Sequence, residues 1–106
     1  MRIVAFVTDL MDRSKLGRAG DVAFGRDPAD AAGADVVIID LGAHAGLVAS
    51  ARLAAPDARI VAYGRHTAVD ALRQAVADGA DEALPRSAFF ADVVGSVLPG
   101  QTNGQG

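Results

Sequence analysis

Cysteine and tryptophan are absent from the 106 residues, and aromatic side chains make up only 5% of them. Without cysteine there is no disulfide, no thiol nucleophile and no thiolate metal site, a composition compatible with a reducing compartment. No apolar run approaches the roughly 18 residues that a membrane-spanning helix needs. The opening "MRIVAFV" is too short for a secretory leader and runs straight into acids. A basic excess is missing too. Ten Lys and Arg against thirteen Asp and Glu leave a formal charge of −3, and the cations are scattered, without the stripe by which nucleic-acid modules release counterions. No G-x-G-x-x-G or P-loop follows the first apolar run, so a nucleotide cradle lacks its glycines. Ser14, Ser50, Ser87 and Ser96 stand in no nucleophile-elbow context. The expectation is a cytoplasmic protein that is not an enzyme and binds neither nucleic acid nor membrane.

What is present is a chain 51% hydrophobic and rich in alanine. Small side chains let core layers approach closely, which suits layered α/β packing, and the length suits one domain. That domain is expected over residues 1–98, followed by a disordered tail over 99–106 that ends in "QTNGQG". Residues 2–7, "RIVAFV", read as a buried strand that ends at Thr8 and Asp9. Residues 34–40, "ADVVIID", form the most hydrophobic run, continuous rather than alternating, as a strand covered on both faces requires. Shorter strands are expected at 21–24, 59–63 and 82–85. Between them lie a weak helix from Leu10, a short turn that Asp27 caps and Pro28 begins, and a helix from Leu47 that Pro56 terminates. A clear amphipathic helix capped by Thr67 ends at Gly79, and a last helix capped by Ser87 carries Phe89 to Leu98.

Strands alternating with helices call for parallel pairing through right-handed crossovers. The predicted fold is a single-domain, doubly wound, five-stranded parallel sheet of order 2-1-3-4-5, flavodoxin-like, with short first and second helices. Ligands in such sheets collect outside the carboxyl ends of the strands, where the winding reverses. That rule gathers Asp9, Asp40, the Gly64-Arg65-His66 stretch and Arg86 on one rim. Asp40 has two readings, a cap for the next turn or a working acid in a crevice.

With those segments placed, the chain resembles the receiver domain of two-component response regulators. "VVIIDL" is similar to that family's phosphoacceptor strand, with Asp40 in the acceptor place, and "GADEALPR" to its fifth-strand segment, with Arg86 where the family carries lysine. The resemblance implies that Asp9, Asp12 and Asp40 hold a divalent cation, magnesium, which offsets the charge of an incoming phosphoryl group. It also implies a histidine kinase or a downstream regulator as protein partner. Asp12 is read foremost as an exposed acid in the first helical turn, and otherwise as leaning back into that site. Gly64 stands where the family has a serine or threonine, and Ala83 where it has a switching aromatic. These departures remove the hydroxyl-to-aromatic relay and mark an atypical, or pseudo, receiver.

The main reading is therefore a stand-alone receiver-like signalling module that acts through protein contacts on the face of the fourth helix, fifth strand and fifth helix. Phosphorylation of Asp40 would be an additional route. Arg86 is expected either to pair with Asp40 or to bind an anion. A small-anion or metabolite site using Arg65, His66 and Arg86 at the same rim is the alternative from a different class, and a scaffold without ligand is the third. His44 and His66 form a metal pair only in the loosest sense. Oligomeric state is open.

Overall fold

Valine and isoleucine occupy four consecutive positions of the central strand, and all four are buried, because helices cover both faces of the sheet around them. The computed structural model describes residues 1–98; the tail expected beyond them lies outside the described residues. Five strands, β1 (Ile3–Phe6), β2 (Val22–Phe24), β3 (Val36–Asp40), β4 (Arg59–Gly64) and β5 (Glu82–Pro85), pair in parallel in the order β2-β1-β3-β4-β5. The order and the all-parallel pairing are those predicted. Ile3 lies level with Val36, and Asp40 with Tyr63, so the carboxyl ends of β1, β3 and β4 reach a common rim.

Alternate residues of β1, β3 and β4 feed two cores. Val4, Phe6, Val37, Ile39, Ile60 and Ala62 face α2 (Leu41–His44), α3 (Leu47–Ala54) and α4 (Val69–Ala77). On the opposite face Ile3, Ala5, Val36, Ile38, Val61 and Tyr63 pack against Leu16 of α1 (Leu10–Leu16), Phe89 of α5 (Arg86–Ala91) and Val93 and Val97 of α6 (Val93–Val97). Tyr63 stacks on Phe89 at 4.8 Å between ring centroids and meets Phe90 edge-on at 5.0 Å. Thus Phe89 is core, as expected, and Phe90 is partly buried beside it.

Local chemistry explains the boundaries, including three that differ from expectation. The short turn Pro28–Ala31 is capped by Asp27, whose carboxylate accepts from Ala29 N–H, and Asp30 closes the reciprocal half of the cap. Gly33 and Gly79, with φ of +78° and +123°, end their segments in the left-handed region. Thr67, however, caps nothing: α4 starts at Val69 with no side-chain cap. Ser87 likewise makes no cap, since α5 already begins at Arg86. The last helix is two helices. Asp92 breaks it, with an extended φ of −150°, and its carboxylate caps α6 by accepting from Gly95 N–H. No helix among the described residues is long and apolar enough to cross a membrane.

Candidate functional site

Asp40 ends β3 because its side chain turns to the next segment: Oδ1 accepts from Gly42 N–H at 2.9 Å and caps the single-turn α2. Asp9 does the same for α1, accepting from Met11 and Asp12 N–H at 2.9 and 3.0 Å. Both acids at the head of the rim are thus helix caps in this arrangement. A second link ties the same ends together, with Thr8 Oγ1 and His44 Nε2 3.0 Å apart.

Asp12 departs furthest from its leading expectation. It is 0% exposed, on the buried face of α1 one turn before Leu16. A carboxylate in that position must be paired and fully hydrogen-bonded. Arg86 Nη1 donates to Oδ2 at 2.6 Å, Arg86 Nη2 donates to Oδ1, and Tyr63 Oη donates to Oδ2 at 3.0 Å. Arg86 therefore pairs with Asp12 rather than with Asp40. Burial pushes the Asp12 carboxyl up, but the Arg86 and Tyr63 hydrogen bonds and the charges of Arg86 and Lys15 outweigh it and hold it below its ordinary value. Arg86 is held more firmly protonated by its hydrogen bond to Asp12. Tyr63 is pushed up by burial first, then by the charge of Asp40 and the bond to Asp12, so it remains a donor. The Arg86 guanidinium lies 5.0 Å from the Phe90 ring centroid, with Lys15 Nζ over the same ring at 5.2 Å.

Around this pair the rim opens into two adjoining clefts. The first, about 270 Å³, is lined by Asp40, Gly42, Tyr63, Gly64, Arg65 and Arg86. The second, about 370 Å³, is lined by Arg65, His66, Thr67, Arg86 and Ser87. Topology thus gathers Asp40, Gly64, Arg65, His66 and Arg86, while Asp9 lines neither cleft. Among the described residues no three His, Asp or Glu are placed to hold a metal ion. Asp9, Asp12 and Asp40 do not form such a group, and the two histidines are not drawn into one. The reason is visible at Asp12, both of whose oxygens are taken by the guanidinium. In this arrangement Asp12 is committed to Arg86 and is not available to a divalent ion.

Sequence reasoning missed Tyr63 and Arg52. Tyrosine in a fully buried strand needs a partner for its hydroxyl, a signal available at residues 59–63. Arg52 gave none. It leaves α3 and donates to the carbonyls of Gly79, Ala55, Pro56 and Ala58 and to the Asp81 carboxylate, with distances from 2.7 to 3.3 Å.

No family model matches the chain, and no curated protein matches it by sequence. Solved structures do. A response regulator from Burkholderia pseudomallei, crystallised with a phosphorylated aspartic acid, a calcium ion and citrate, superposes with a TM-score of 0.75 at 20% identity, over 98% of this chain and 70% of its own. A response regulator from Hahella chejuensis gives 0.70 at 19% identity, over 87% and 88%. The CpaE2 pilus assembly protein of Sinorhizobium meliloti, described as putative, gives 0.61 at 14% identity, over 88% and 97%. On this topology and these likenesses, the chain has the receiver fold of response regulators.

Proposed function

We propose that the protein is an atypical receiver-like signalling module of the cytoplasm that acts by binding another protein, a kinase or a downstream regulator, and catalyses no reaction of its own. The observation that carries this reading is the Arg86 fork on Asp12, which puts a fixed guanidinium where a mobile cation would be needed. Magnesium-dependent phosphorylation of Asp40 would require Arg86 to release a buried carboxylate, at the cost of leaving it unpaired until the ion arrived. Gly64 has no hydroxyl to meet a phosphoryl group, and Ala83 has no ring to move in response. The protein-contact part of the reading is supported by α4, which exposes Val69 and Val76 two turns apart on one face.

The test follows the backbone amides of β3 by NMR while acetyl phosphate or beryllofluoride is added with magnesium. The same titration is run on Gly64→Thr, whose new Cβ would have ordinary contacts of 3.5 to 3.7 Å with Leu41 and Leu72. No response is expected in either protein. A magnesium-dependent shift at Asp40 and its neighbours would overturn the metal-free reading.

A further inference from the structure

We propose that the cleft between the β4–α4 loop and the start of α5 is a metal-independent binding site for a small phosphomonoester. Five residues line it, Arg65, His66, Thr67, Arg86 and Ser87, all with polar side chains and none with a carboxylate. In a chain whose formal charge is −3, this places two guanidinium groups and an imidazole together at one point of the surface. Neither Arg65 nor His66 takes part in any ion pair among the described residues.

The two hydroxyls are equally uncommitted. Thr67 and Ser87 stand where helix caps are expected, yet α4 and α5 begin without a side-chain cap, so both hydroxyls are free to meet a ligand. Arg86 is the fixed point. Of the five N–H groups of a guanidinium, two bond Asp12, and its side chain is 43% exposed, so the others remain available at the cleft. Asp12 is thereby a positioning residue: it holds the Arg86 fork and lowers the entropy lost on binding.

The chemistry selects the ligand class. Arginine forks and hydroxyls match the several terminal oxygens of a phosphate group better than a single carboxylate. About 370 Å³ lies in the lower part of the usual range for ligand pockets, with room for a small organic group beyond the phosphate. The site does not depend on the signalling reading, because it is probed without metal and without a partner protein.

The experiment is an NMR titration of the full chain, in the presence of a chelator, with inorganic phosphate and with free phosphoserine. Saturable shifts are expected at the amides of Arg65, His66, Thr67, Arg86 and Ser87, with phosphoserine binding more tightly than phosphate. Arg65→Ala, at an exposed loop position, should weaken both by about tenfold, the loss of one charge-assisted contact. Ser87→Ala should weaken them less. Arg18→Ala, which removes the same charge from the exposed turn that follows α1, should leave both unchanged. Shifts that do not saturate, that persist undiminished in Arg65→Ala, or that need magnesium would overturn the assignment.

Discussion

Asparagine at position 12 keeps the volume of the aspartate and removes its charge, so Asp12→Asn isolates the ion pair. Breaking a fully buried pair costs about 3 to 5 kcal/mol. Here only one partner is fully buried. With its side chain 43% exposed, Arg86 regains hydration when released, and solvent screening lowers the expected loss to about 2 kcal/mol. For a chain of this size that is roughly a 10 °C fall in Tm. The pH dependence has a definite sign. The folded pKa of Asp12 lies below its unfolded value, so its contribution is complete above the ordinary carboxylate pKa of about 4 and is lost as pH falls through the folded value. Urea denaturation followed by circular dichroism at pH 7, and at falling pH for as long as the fold persists, measures both effects. The midpoint should drop with the slope unchanged, and the deficit of the variant should shrink in acid. Pairing the substitution with Arg86→Gln in a double-mutant cycle should give a coupling of at least about 1 kcal/mol. Equal midpoints at pH 7, or a deficit that does not change with pH, would refute the pairing as a source of stability.

Asp40→Asn should change stability by less than about 0.5 kcal/mol, because asparagine caps nearly as well as aspartate, whereas Asp40→Ala should cost about 1 kcal/mol by thermal or chemical denaturation. Arg52→Ala should destabilise by about 2 to 3 kcal/mol through loss of its carbonyl contacts and the Asp81 pair, with Arg52→Lys recovering only part, since an ammonium cannot reach several acceptors in a fork. Gly79→Ala should cost about 2 kcal/mol: φ is +123°, and a Cβ would come within 2.9 Å of Arg52 Cγ.

Strand positions and their order were legible because each buried strand is an uninterrupted apolar run and alternation with helices leaves few parallel arrangements. The convergence of Asp40, Gly64, Arg65 and Arg86 followed from that order alone. Asp12 was misread because acids in a first helical turn are ordinarily solvated, and nothing local separates such an acid from one met by an arginine 74 positions away. A one-turn spacing to Leu16 was the available hint. Thr67 and Ser87 have the chemistry of caps, but the strand ends run directly into the following turns and the hydroxyls are bypassed. Asp92, an acid within an apolar helical pattern, gives no signal by itself that the backbone will extend there.

The Asp12–Arg86 contact also bears on how the polypeptide is made. During synthesis the first helix emerges long before its counter-ion, so a nascent segment ending short of residue 86 holds an acid that cannot yet be buried without penalty. Docking of that helix onto the sheet should therefore be weakened until the fifth strand and the turn after it have left the ribosome, and fragments truncated before this point should remain open to proteolysis.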